Sequence, residues 1–322
     1  MSNLPLPQLR YRFNAYAQTF AAADGQLIPM MQLKLDHSLR VGAECRAVAA
    51  ELGWSLPDQD LAEAAGLLHD VGRFEQCRRF NTFADARSVD HGELGVEILA
   101  QAAFLPEVAP GLADLIRTAV RCHNKHEIPP ALAAPARALV QLVRDVDKLD
   151  IMTLIEQSVR SGAFAREPGI LLHVTADGPP SPALVAEIQA GATGSYGNVR
   201  SLADIRLVGV SWTRDIVCLP VLERLRQRGL TDDLAQALEG HPEVRLLAEQ
   251  MLREMAVRLQ PGAGQSLLPG PSAVSGRTRL PWAPCGSSVR DAKVGPLCNG
   301  VTDDQSNPLD CRPGAGRIGV GR

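Results

Sequence analysis

Residues 67–76 read LLHDVGRFEQ, and the side-by-side His69 and Asp70 at the end of an apolar run decide how the rest of the chain is read. The run before them, from Asp58 to Asp70, has the spacing of a buried helix, with acids at its start and Gly72 just past its end. A buried imidazole beside a buried carboxylate is costly unless something neutralises the pair, and a divalent metal ion does that well. Further donors lie on either side: His37 upstream, His91 and His123 downstream, and Asp147 in the run VRDVDKLD, residues 143–150.

The segments carrying these donors read as helices. Residues 32–52 place Leu35, Leu39, Ala43 and Ala47 at helical spacing and end at Gly53, a natural C′ residue. Beyond the polar connector RRFNTFADAR, Ser88 is placed to cap a helix with His91 in its first turn, followed by Leu94, Ile98 and Leu99. A helix from about Gly111 runs through Leu115, Ile116, Ala119 and Val120 to His123, and Pro129, Pro130 and Pro135 then break the chain. In the next helix, from about Ala136 to Arg160, the steps Leu139, Val143, Asp147, Asp150 and Leu154 turn Asp147 inward and leave Asp145 and Lys148 toward the other side.

A lone His, then His-Asp, then a distant Asp is the signature of the HD superfamily of metal-dependent phosphohydrolases, which residues 30–160 resemble. The resemblance implies an all-α helical bundle in which His37, His69, Asp70 and Asp147 hold one divalent ion and Asp70 bridges to a second ion on His91 and His123. Mixed imidazole and carboxylate ligation suits Mn, Fe, Co, Ni or Zn. One or two such ions would supply a hydroxide nucleophile and Lewis acidity for attack on a phosphoester, a nucleotide among the candidates. Arg73, Lys125 and Lys148 are each close in sequence to a ligand and would supply positive charge to a phosphate, with Lys148 turned away by its helical position. Asn124 could bond a water or substrate oxygen, and Glu75 could serve as a base or as a partner for Arg78 and Arg79. Some relatives with the same ligands are diiron oxygenases, so that reaction is the alternative, with a regulatory module that binds metal and nucleotide without turnover as a third reading. His126 reads as a solvated loop residue, and His173 and His241 lack neighbours of the right type.

Composition bounds these readings. The chain has 322 residues, 45% of them hydrophobic and 21% charged, with a net charge of −3, which gives no electrostatic case for gripping a nucleic acid polymer. No apolar run approaches the ~20 residues of a membrane span and the first residues lack a leader-like apolar core, so a cytoplasmic location is expected. Seven scattered cysteines without a CxxC pair are expected as reduced thiols. The chain also lacks the GYP run of the cyclic-di-GMP phosphodiesterase branch, a P-loop and a GxGxxG turn. Residues 1–29 read as an N-terminal helical arm. Residues 161–260 read as a helical accessory or cap region, with a Gly/Pro-punctuated loop at 167–182, helices near 182–190 and from about 201, and a face for a partner or a second copy. Residues 261–322 hold 11 Gly and 8 Pro in 62 positions without a helical or strand period, the composition of a disordered tail.

Overall fold

A computed structural model describes residues 4–101, 104–163, 174–260 and 268–274, all within one compact unit, Met1–Pro281. The fold is all-α, and among the described residues the only β-type pairing is a bridge between Thr175 and Ser201. Helix α1 (Leu6–Gln18) is followed by α2 (Pro29–Glu51), α3 (Leu56–Leu68), α4 (Gly72–Phe80), α5 (His91–Gln101), α6 (Pro110–Cys122) and α7 (Ala134–Arg160). After them come α8 (Pro182–Gln189), α9 (Leu202–Asp215), α10 (Leu219–Gln227), α11 (Leu230–Ala237) and α12 (Pro242–Arg258).

Helix α3 is defined at both ends by local chemistry. The Ser55 hydroxyl accepts the amide of Asp58, and Pro57 occupies the first turn, where its missing N–H costs nothing. The helix closes at Leu68, so His69 and Asp70 stand in the short corner before α4. Gly72 therefore does not stop α3 but opens α4. Its lack of a side chain lets α4 touch the first residue of α5, since a Cβ there would collide with the His91 carbonyl.

Helix α2 buries a different face from the one expected. Leu39 is 36% exposed and Ala43 and Ala47 are exposed, whereas Val41, Gly42, Cys45, Val48 and Ala49 are buried. The inner face is built from small residues because α2 and α3 approach closely. A Cβ on Gly66 would lie 2.8 Å from the Cys45 sulfur and 3.1 Å from the Gly42 Cα. That closeness puts His37 on α2 opposite His69.

Two further expectations change. Asp90, rather than Ser88, caps α5: its Oδ1 accepts the amides of Gly92 at 2.9 Å and Glu93 at 3.2 Å, while the Ser88 hydroxyl turns back to the Ala84 carbonyl. Residues 268–274, read from composition as part of a disordered tail, are ordered against the start of α3. The Trp54 indole donates to the Leu268 carbonyl at 2.8 Å, and Ser272 bonds Asp58. The rest of the expected tail, the first part of the expected 167–182 loop, up to residue 173, and with it His173 lie outside the described residues.

The arm residues Leu9, Phe13 and Ala17 of α1 are buried, with the Phe13 ring edge-on to Phe74 at 5.9 Å. The accessory helices join α7 through Asp145, which accepts the amides of Val217 and Cys218 at 2.9 and 2.8 Å. Among the described residues no helix is long and apolar enough to cross a membrane.

Candidate metal centre

The corner after α3, the first half of α2, the start of α5, the end of α6 and the middle of α7 converge on one buried point. Four imidazole rings stand there in a row, with neighbouring centroids 5.0 Å apart for His37 and His69, 4.9 Å for His69 and His123, and 4.9 Å for His123 and His91. All four are buried, as is Asp70.

Each ring has one nitrogen already engaged. His69 Nδ1 meets the Gly66 carbonyl at 2.7 Å and His123 Nδ1 meets the Val120 carbonyl at 2.8 Å. A carbonyl only accepts, so both nitrogens carry the proton and donate it. His37 Nδ1 faces the Asp150 carboxylate at 2.7 Å and His91 Nδ1 faces Asp85 at 2.6 Å, which fixes the same tautomer. The remaining nitrogens point at one another: Nε2 to Nε2 is 3.1 Å for His37 and His69, and 3.0 Å for His91 and His123. Neutral rings in that tautomer bring two lone pairs together there, which repel unless a cation lies between them.

The carboxylates complete two subsites. Asp70 Oδ2 is 3.6 Å from His37 Nε2 and 3.5 Å from His69 Nε2, and Asp147 Oδ1 is 3.1 and 3.4 Å from the same atoms. The other oxygen of Asp70 is 3.3 Å from His91 Nε2 and 3.5 Å from His123 Nε2. Asp70 thus stands between the histidine pairs with one oxygen toward each. Asp147 Oδ1 is buried with no hydrogen-bond partner. An orphaned carboxylate oxygen among converging imidazole nitrogens fits a divalent cation, and the clustered ligand atoms lie within 4.8 Å of one another in three overlapping groups: His37, His69 and Asp70; His69, His123 and Asp147; Asp70, His91 and His123.

Burial pushes His123 down to about 4, so it is neutral at pH 7. Burial opposes the charge on Asp70, but Lys34 and His69 outweigh it and hold the carboxyl well below its usual range. Burial likewise opposes the charge on Asp147, and His69 and His37 hold that carboxyl low. His69 is drawn upward against its burial by Asp70 and Asp147, the sign of two carboxylates facing a shortfall of positive charge.

A supporting layer fixes the ligands, and sequence reasoning found only part of it. Arg40 grips Asp150 through Nε at 2.8 Å and Nη2 at 3.0 Å, which in turn holds His37. Asp85 links His91 to Arg73, and Arg144 donates to the carbonyls of His123 and His126 at 3.0 and 3.2 Å. Lys34, unremarked in the sequence, places its ammonium 2.7 Å from Asp70 Oδ2; its position one turn before His37 on α2 was the available signal.

The other expected site residues are distributed as follows. Arg73 is at the centre, with Nε 3.4 Å from Asp70 Oδ1 and no hydrogen-bond partner of its own, and with Nη1 held by Gln76, Phe83 and Asp85. Asn124 donates to Asp85 at 3.2 Å and Asp90 at 2.8 Å. Lys125 pairs with Asp90 and stands 3.7 Å from Glu93. Glu75 is engaged by Arg78 at 2.7 and 2.8 Å and by Arg79 at 2.5 Å, on the wall of a cleft of about 470 Å³ lined also by Tyr16, Phe20 and Glu97. Lys148 pairs with Asp215 of the accessory helices.

Compared with known families, residues 35–152 match the family described as the HD domain. Neither a curated protein nor a solved structure matches the chain.

Proposed function

We propose that this chain, whose residues 35–152 form an HD domain, is a metal-dependent phosphohydrolase with a binuclear site. The observation that carries the reading is the pair of Nε2 to Nε2 contacts, 3.1 and 3.0 Å, on opposite oxygens of Asp70. His37, His69, Asp70 and Asp147 would hold one divalent ion, and Asp70, His91 and His123 the other. When bound, such ions supply Lewis acidity and bring the pKa of a coordinated water toward neutrality.

The chain's own residues do the rest. Asp150 and Asp85 hold the outer nitrogens of His37 and His91, so neither ring can turn away from the centre. Lys34 and Arg73 bring two positive charges to Asp70, and both lie over the face of Phe83, at 5.5 and 5.6 Å from its centroid. A phosphoryl group entering there meets cations already positioned, which supports transfer at phosphorus over oxygen activation. Glu75 serves as the anchor for Arg78 and Arg79. Lys125 and Asn124 steady the start of α5 through Asp90.

The test is phosphate release from a panel of nucleoside and simple phosphoesters by the metal-replete chain, with Asp70→Ala as control. The reading expects release that is lost in the variant. A full complement of metal without release from any ester would overturn it, and oxygen consumption by the reduced iron form would replace it with the oxygenase reading.

A further inference from the structure

Helix α4 presents two opposed faces. Arg73 and Gln76 turn toward the metal centre and its connector, reaching Asp70 and Asp85, while Glu75, Arg78 and Arg79, spaced three and four apart, line the cleft of about 470 Å³ on the other side. The floor of that cleft is apolar: Leu94 and Ile98 of α5 are buried, and the Phe20 ring packs on Phe74 with centroids 5.7 Å apart. A concave apolar floor with a few fixed polar groups at its edge has the form of a small-molecule site.

The polar groups at the edge carry both signs. On the α4 wall, Arg78 and Arg79 share the one carboxylate of Glu75, to which Arg78 commits Nε and Nη2 and Arg79 only Nε. Two guanidinium groups on one carboxylate leave a surplus positive charge and unengaged Nη donors, and the Arg78 guanidinium is steadied over the Phe20 ring at 5.8 Å from its centroid. On the α5 wall stands Glu97, whose carboxylate has no ion pair or hydrogen bond among the described residues. A simple anion entering the cleft would meet Glu97 as a like charge, and a simple cation would meet the arginines. A ligand carrying both charges satisfies both walls.

We propose that this cleft is a second binding site, separate from the metal centre, for a small zwitterion with an apolar body, the chemistry of a free α-amino acid with an aromatic or long aliphatic side chain. The ligand's carboxylate would take the unengaged donors of Arg78 and Arg79, its ammonium would pair with Glu97, and its side chain would lie on Phe20, Leu94 and Ile98. Glu75 then acts as the fixed post that holds both arginines in place before the ligand arrives. The cleft is on the face of α4 away from Arg73, so the inference stands apart from the phosphohydrolase reading.

The experiment is calorimetric titration of the full, metal-loaded chain with L-phenylalanine, with hydrocinnamate, which lacks the ammonium, and with phenethylamine, which lacks the carboxylate. Native chain, Glu97→Gln and Arg79→Gln are compared; both side chains are exposed at the cleft edge, so neither change removes a core contact. The native chain should bind phenylalanine about tenfold more tightly than either fragment. Glu97→Gln should weaken phenylalanine about tenfold and leave hydrocinnamate no weaker, and Arg79→Gln should weaken both of these and spare phenethylamine. Phenylalanine bound no more tightly than a fragment, or all three probes weakened alike, would overturn the inference. So would affinity for phenylalanine unchanged in both variants, the result expected of an amino acid that chelates metal at the buried centre instead.

Discussion

Four imidazoles can face one another only because each has its outer nitrogen fixed, and at this scale the structure separates residues that neighbour each other in sequence. Glu75 and Arg73 both follow the His-Asp pair, yet Arg73 turns toward Asp70 while Glu75 is clamped by Arg78 and Arg79. Burial opposes the charge on Glu75, and the two guanidinium groups outweigh it, holding the carboxyl below its usual range. A folded-state pKa below the unfolded value means that the pairing stabilises above the ordinary carboxylate range and is lost as pH falls through the lowered value. Glu75→Gln should therefore cost no more than about 1 kcal/mol at pH 7, since both arginines are more than half exposed, and the gap from the native chain should close in acid. Urea unfolding at a series of pH values checks this. Hydrolysis should persist in the variant, whereas loss of a general base would lower the rate by ~10² to 10⁴. The His and Asp residues that cluster at the centre were legible in the sequence because order and helical spacing both constrain them. Asp85 was not, since it sits in the connector at residues 85–87, where no period indicates which way a carboxylate points.

At the scale of helices, the site depends on close approach as much as on ligands. Gly72 admits the His91 carbonyl against α4, and Gly42 and Gly66 let α2 and α3 bring His37 to His69. This explains why the apolar stripe through Leu39, Ala43 and Ala47 was misleading: the buried face of α2 uses Ser38, Gly42 and Cys45, which a hydrophobicity pattern underweights. It also explains why Ser88 looked like the cap of α5, for a connector offers several hydroxyl and carboxyl groups and only geometry selects Asp90. Gly72→Ala should destabilise by about 1 to 3 kcal/mol through overpacking, despite alanine's better helix propensity of ~1 kcal/mol. The same change should weaken the subsite of His91 and His123 while sparing that of His37 and His69. Thermal unfolding together with metal titration reads both effects.

For the whole molecule, the issue is how the accessory helices are tied to the HD domain. The fold class and the existence of these helices could be read from composition and spacing, but their attachment could not, because Asp145 looked like an outward-facing acid. It is buried and accepts two backbone amides from the α9 to α10 connection, beside the Lys148 pair with Asp215. Removing a buried acceptor leaves its donors short of a partner, at about 1 to 3 kcal/mol each. Asp145→Ala should lower stability by about 2 to 4 kcal/mol in chemical denaturation, with Asp145→Asn, which keeps an acceptor, losing less. An unchanged midpoint in both would mean that this connection does not hold the two parts together.

Bound-metal stoichiometry decides whether Asp70 joins two metal subsites. Elemental analysis of the full chain reconstituted with Mn or Fe should give about two ions per chain, falling to about one in His91→Ala. One ion in both proteins would remove His91 from the centre, and none in either would mean that the His and Asp cluster holds no metal.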